Sequence, residues 1–209
     1  MQAIKDLTAE QQLLIKKPLP AEAVKPHPTK QGMSTIKAIY VTERLNDVFG
    51  IGKWTIKTDL LPATADGNLF TIRTYTTSNG KERTEYFAVA KTVLEIPDYG
   101  VHYECIAGAS NDDMGDAAKG ATTDAITKIC SYLGIGIDVF KGQHDQALKM
   151  EEARVKLEIS KAAMGIKKCE TVEQLKDVKA KLPEYVLNSR DFKEAATERF
   201  NQISMKQAA

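Results

Sequence analysis

The chain has 209 residues, 43% of them hydrophobic and 27% charged, with a formal net charge of +1. This suits one globular domain, alone or with an appendage, and excludes a low-complexity or wholly disordered chain. The near-neutral total argues against a uniformly basic nucleic-acid binder, and no apolar run approaches the roughly 18 residues that a membrane-spanning helix needs.

The opening Met1-Gln2-Ala3-Ile4-Lys5-Asp6 lacks the layout of a signal peptide. Cys105, Cys130 and Cys169 lie far apart and are odd in number, so reduced thiols in a cytoplasmic protein are expected rather than a disulfide framework or a zinc site. Charge is uneven: between residues 25 and 57, Lys25, Lys30, Lys37, Arg44, Lys53 and Lys57 face only Glu43 and Asp47. A local patch of this kind can steer a polyanion even when the total is neutral.

In chain order, residues 6–17 read as a short amphipathic helix with Leu7, Leu13, Leu14 and Ile15 on its apolar side, ended by Pro18-Leu19-Pro20. Pro26-His27-Pro28 reads as an extended connector. Ser34 suits the N-cap of a second helix reaching about Phe49, with Ile36, Ile39, Tyr40, Leu45, Val48 and Phe49 as candidate core, Lys37 and Arg44 on its flanks, and Gly50-Ile51-Gly52 as its stop.

The period then changes to two. Trp54, Ile56 and Leu60 alternate with Lys53, Lys57 and Asp59, which predicts a half-buried strand. Asp66-Gly67-Asn68 predicts a turn, residues 69–77 a second strand with Arg73 and Tyr75 on one face, and Asn79-Gly80 a hairpin. Residues 82–96 form a long third strand and residues 101–107 a fourth, after a turn at Pro97-Asp98-Tyr99-Gly100. Three short connections predict an antiparallel meander whose apolar face needs a covering layer of helices.

That layer is predicted at residues 112–134. Asp112, Asp113 and Asp116 crowd its start, where carboxylates accept free backbone N–H groups, and Gly134 supplies its stop. Ala118, Ala121, Ala125, Ile129 and Leu133 recur at three and four residues, small at the front and bulky at the back, so the front half is expected to press closely against the sheet. The opposite side carries Lys119, Thr123, Thr127, Lys128 and Ser131, amines and hydroxyls suited to phosphate oxygens. Residues 134–142 form a short apolar tail expected to add an edge strand or pack on the sheet, and Gln143-His144-Asp145 reads as a linker. Beyond it, helices are predicted over residues 147–164, from a Thr171 cap to about 182, and from Asn188 or Ser189 to about 203, forming a small bundle with a modest basic excess. The expected class is therefore α+β: an N-terminal helix and extended arm (1–33), an antiparallel β-meander packed against helices (34–142), and an all-helical C-terminal segment (143–209).

Several chemistries are missing from the sequence. It contains no phosphate-binding loop, nucleophile elbow, His-Glu-x-x-His or Cys-x-x-Cys. His27, His102 and His144 have no companions at ligand spacing. Asp112, Asp113, Asp116 and Asp138 are the one set that a magnesium ion could use, although helix capping explains the first three more simply. A non-enzymatic protein without metal or cofactor is expected.

Residues 39–142 resemble the Rad-fifty-two/Rad-twenty-two type of single-strand-annealing protein, in its bacterial and phage form. The resemblance rests on Tyr40-Val41-Thr42-Glu43-Arg44-Leu45-Asn46-Asp47-Val48-Phe49-Gly50 followed by Trp54 at a strand start. It rests equally on Gly115-Asp116-Ala117-Ala118-Lys119-Gly120-Ala121-Thr122-Thr123-Asp124-Ala125 with Leu133-Gly134, in the same order and with strands between. The tail from Ile135 to Gly142 is similar to phage and prophage members.

The resemblance implies a protomer that assembles into a ring or spiral, holds single-stranded DNA in a groove between sheet and helix, and pairs complementary strands without ATP in recombination and double-strand-break repair. It places groove-lining roles on Thr127, Lys128 and Ser131, of which only Lys128 carries charge, and on Tyr40, with Arg44 one turn away. The family's second DNA site falls near Asn68 and residues 111–115, which are neutral or acidic here. The candidate DNA-binding set is Lys128, Thr127, Ser131, Lys119, Lys53, Lys57, Arg73, Tyr40 and Arg44. Backbone contacts from such residues would leave base edges free for a second strand. Trp54 reads as core or subunit interface rather than a stacking platform. The C-terminal helices read as an accessory module for partner contact (a host or phage single-strand-binding protein or recombinase) or for extra DNA affinity, or equally as an appendage that serves solubility alone, and no membrane is expected as partner. Two alternatives remain: a passive single-strand binder, and a metal-dependent nuclease accessory using Asp112–Asp116.

Overall fold

A computed structural model describes residues 4–27 and 31–208; Met1 to Ala3, Pro28 to Lys30 and Ala209 lie outside them. The chain divides into two compact units at Ala147/Leu148, close to the boundary at 142/143 expected from composition. No such boundary separates the N-terminal arm, whose Ile15, Leu19 and Ala23 are buried in the main core of the first unit.

Helix α1 (Ala9–Lys16) starts at Thr8, whose hydroxyl accepts from the Gln11 amide while the Gln11 side chain accepts from the Thr8 amide. Strand β1 (Val24–Pro26) comes next and pairs antiparallel with β2 (Ser34–Ile36). Ser34 is therefore a strand residue, not a helix cap, because Val24 and Lys25 take up Ile36 and Thr35 as partners first. Helix α2 (Ala38–Phe49) begins after that pairing ends. Its buried stripe is Val41, Arg44, Leu45, Val48 and Phe49, whereas Ile39, expected in the core, is exposed.

The sheet is antiparallel throughout, but its outline differs from a four-strand meander. Strand β5 (Glu82–Ile96) pairs along one edge with β6 (Val101–Asn111) and along the other with both β3 (Thr55–Leu60) and β4 (Phe70–Thr76). The last pair of β3 is Leu60 with Ala90 and the first of β4 is Phe70 with Ala88, so β3 and β4 run in line, end to end. The Asp66-Gly67-Asn68 turn makes an excursion and does not reverse the chain. A turn signal specifies a local bend, but the path of the chain beyond it depends on which partner strand is free, and β5 is long enough to serve both.

Helix α3 (Met114–Leu133) covers one face of this sheet. Alternate residues of β5 (Ala88, Ala90, Thr92, Leu94 and Ile96) are buried there. Ala88, Ala90 and Ala107 meet Ala117, Ala121 and Ala125 in a seam of methyl groups. A Cβ on Gly120 would lie 2.9 Å from the Ala109 Cβ, so the helix backbone approaches the sheet as closely as glycine permits. The sequence expectation of a small front half pressed on the sheet holds, with Ala117 taking the place of Ala118. Gly134 ends α3 at φ 108, in the left-handed region that closes helices.

The apolar tail adds no edge strand, its Ile135 being buried in the main core, and Gln143-His144-Asp145, read as a linker, leads straight into a helix. Residues Ile137–Phe140 make a single turn, α4, and α5 (His144–Lys167) starts at once. The buried His144 holds Asp138 through its Nδ1 at 2.5 Å, and its Nε2 has no hydrogen-bond partner among the described residues. In the second unit, α5 packs with α6 (Val172–Ala180), α7 (Glu184–Leu187) and α8 (Arg190–Ala208) around Ile166, Leu175, Val186, Phe192 and Ile203. Thr171 caps α6 as expected, with Gln174 reciprocating. No helix among the described residues is long and apolar enough to cross a membrane.

Candidate nucleic-acid interface

Asp113 caps α3, its carboxylate accepting from the Asp116 amide at 2.9 Å. This carboxylate is occupied by the helix end, and Asp138 is held by His144 at the far end of the helix. Of the four aspartates read as one metal set, Asp113 is taken by the cap and Asp138 by His144, so the four do not act as a single cluster.

The hydroxyls of α3 turn back on their own helix. Thr123 donates to the Lys119 and Gly120 carbonyls, Thr127 to Asp124, and Ser131 to Lys128 at 2.7 Å. Thr127 is only 4% exposed and therefore cannot meet a phosphate, contrary to its expected role. The reason is a drift of the buried stripe. The front half buries Ala117, Ala121 and Ala125 against the sheet, while the back half buries Ile129 and Cys130 in the main core, which draws Thr127 inward. The same burial pushes the Cys130 thiol up to about 12.

Lys128 is exposed and forms no ion pair among the described residues. Lys119 is also exposed, with the Asp116 carboxylate at 3.9 Å. Nine residues at about 100° each put Lys119 and Lys128 on opposite sides of the helix, so they form no common row.

Lys128 instead stands eleven residues after Ala117, a net rotation of only about 20°. It thus continues the sheet-facing line of α3 beyond the point where methyl groups fill the gap. Tyr132, one turn further and 50% exposed, lies on the same line. Its ring meets Tyr103 of β6 edge-on, with ring centres 6.0 Å apart. The neighbouring Cys105 side chain pushes the Tyr132 phenol up. This end of the helix thus carries an exposed ammonium, unpaired among the described residues, on one line with two partly exposed aromatic rings. Neither tyrosine belonged to the expected set. The available signal was Tyr132 standing four residues after Lys128, where helical side chains are neighbours.

The other candidates lie elsewhere. Residues paired across strands share a face of a sheet. Lys57 pairs with Val93 and Arg73 with Glu85, the alternate set of β5 that points away from α3. The sheet therefore separates Lys57 and Arg73 from Lys128, and no single trough in one protomer joins them. Their face is also charge-balanced: Lys57 contacts Asp59 at 3.4 Å and Lys91 contacts Glu104 at 2.8 Å, while Arg73 lies over the Tyr75 ring. Lys53 is exposed in the loop before β3 and helps hold the Asp98 carboxyl below its ordinary range, after the larger effect of Lys5.

Arg44 is not a groove residue. It is 8% exposed, and its guanidinium donates to the carbonyls of Leu14 at 2.5 Å, Lys17 at 2.7 Å and Pro18 at 3.4 Å. These are carbonyls that the end of α1 leaves unpaired, so Arg44 clamps the arm to α2. Tyr40 packs half-buried on the main core with the Lys37 ammonium 5.7 Å from its ring centre. Trp54 also packs on that core, its indole N–H donating to Asn46 at 3.1 Å, which agrees with its reading as structural. Comparison of the chain with protein-family models finds no match, and comparison with curated proteins finds none either.

Proposed function

We propose that this chain binds single-stranded DNA along the exposed end of the α3–β6 junction, at Lys128 and Tyr132, and anneals complementary strands as an oligomer, without a nucleotide cofactor. The observation that carries the reading is Lys128, exposed and unpaired among the described residues, one helical turn before Tyr132, whose ring meets Tyr103 of β6. An ammonium neutralises a phosphate without reading sequence. The resemblance of residues 40–50 and 115–134 to annealing proteins supports the same assignment, since these two segments form α2 and α3 of one unit. Among the described residues, the outer edges of β6 and of β3–β4 pair with no further strand, which supports assembly by neighbouring copies.

The aromatic pair favours a second reading, a passive single-strand binder, because rings that stack on bases withhold them from a partner strand. One experiment separates the two. Complementary oligonucleotides, each coated with protein, are mixed and duplex formation is timed by fluorescence quenching. Annealing requires acceleration over bare strands. Binding with no acceleration selects the passive protein, and absence of binding removes both. Sedimentation at micromolar concentration tests the assembly, for which a high-mass species is expected and a monomer would count against it.

A further inference from the structure

Helix α5 is apolar on two sides. Ile159, Ala162, Ala163 and Ile166 pack into the core of the second unit. At about 100° per residue, the side roughly opposite carries Met150, Leu157 and Met164. These are spaced by seven, form a line about 21 Å long, and are exposed by 66%, 55% and 55%. A helix packed on one side ordinarily turns polar residues to water on the other. Isolated exposed apolar side chains need no explanation, but three in register make a seam that another helix can fill.

The flanks of the seam specify the occupant. Lys149 and Lys156 stand on one side and Lys161 on the other, and none forms an ion pair among the described residues. Arg154, beside Lys161, is held by Glu151 and Glu158, so the nearest carboxylates are already engaged. A second α5 in this seam would set lysines against lysines. A helix with apolar residues on one side and carboxylates beside them would meet complementary charge at every flank.

We propose that Met150, Leu157 and Met164, flanked by Lys149, Lys156 and Lys161, form a docking seam for an acidic amphipathic helix of a partner protein. The proposal is independent of the DNA-binding reading, because none of these residues belongs to the first unit.

The test uses the full chain and two fluorescein-labelled synthetic 21-residue helices, both with leucines at heptad a and d. One carries glutamate at the flanking e and g positions, which keeps it from pairing with itself, and its twin carries lysine there. Anisotropy should report binding of the glutamate helix and not of the lysine helix. Leu157→Glu should weaken it at least tenfold with an unchanged thermal midpoint. Joint replacement of Lys149, Lys156 and Lys161 by glutamate should reverse the preference toward the lysine helix. The proposal is overturned if both helices bind alike, if neither binds, or if Leu157→Glu leaves binding unchanged. It also fails if the seam's occupant is of another kind: self-association of the chain abolished by Leu157→Glu, or flotation with vesicles of 30% anionic phospholipid lost in that variant.

Discussion

The two ends of α3 carry the same helical line into different surroundings. At the front, Ala117 and Ala121 close against Ala88, Ala90 and Ala107 with nothing left over. Eleven residues later the line continues as the exposed Lys128 and Tyr132, whose ring meets Tyr103 edge-on. A helix that touches a sheet through methyl groups at one end and through tyrosine rings at the other changes from a buried line to an exposed one along its length. The closed end supplies rigidity, and the exposed end supplies polar and aromatic groups at a fixed spacing.

The sharpest break in this contrast is at the closed end. Ala121 is fully buried, so Ala121→Leu should overpack the seam and cost about 1–3 kcal/mol or more, read as a lower urea midpoint. A midpoint at the parent value would mean that the seam has slack. Second, Arg44→Ala removes a charged donor from three carbonyls and should cost about 1.5–3 kcal/mol, leaving oligonucleotide affinity of the folded protein intact. A loss of affinity at full stability would return Arg44 to the DNA-binding set.

At the exposed end the expected effects are on binding rather than on folding. If a base stacks on Tyr132, Tyr132→Ala should weaken single-strand binding by about 1–3 kcal/mol, whereas Tyr132→Phe should retain most of it. Lys128→Ala should reduce affinity irrespective of sequence and lower the salt slope by about one. Equal salt slopes for parent and variant would remove Lys128 from contact with phosphate.

The smallest effect expected lies away from both ends. Lys5 donates to Asp98 at 2.6 Å, which holds the Asp98 carboxyl below its ordinary value of 3.8 and raises Lys5. A depressed folded pKa means that this tie is fully present above the unfolded carboxylate value and is lost as pH falls through the folded one. The raised amine loses the same tie at the alkaline end, above 10.5. A carbon-13 titration should place the Asp98 midpoint higher in Lys5→Ala than in the parent, and coincident midpoints would dismiss the tie.

Residue periodicity made much of the fold legible. The change from period three or four to period two marked where helices give way to strands, and β5 runs over the predicted 82–96. The Thr171 and Gly134 signals act through bonds to near neighbours and appear where expected. The site was less legible. Arg44 looked like a flank charge, yet it stands three residues from Val41 and four from Val48, within the buried stripe. An arginine at such a position is buried when unpaired carbonyls from another segment reach it, and those carbonyls belong to Leu14 of α1 and to Lys17 just past its end, 30 and 27 residues earlier.

The sequence by itself determined the α+β class, the Thr171 cap and the Gly134 stop, the helical C-terminal segment and the small-residue stripe that sits on the sheet. Each depends on spacing within one segment or on bonds between near neighbours. Tertiary structure alone decided that β3 and β4 share one edge of β5, that Thr127 turns inward, that the sheet divides Lys57 and Arg73 from Lys128, and that Tyr103 meets Tyr132. These outcomes are set by which face meets which neighbour. A period of two or 3.6 says that a segment has two sides, but only packing against distant segments says what each side meets.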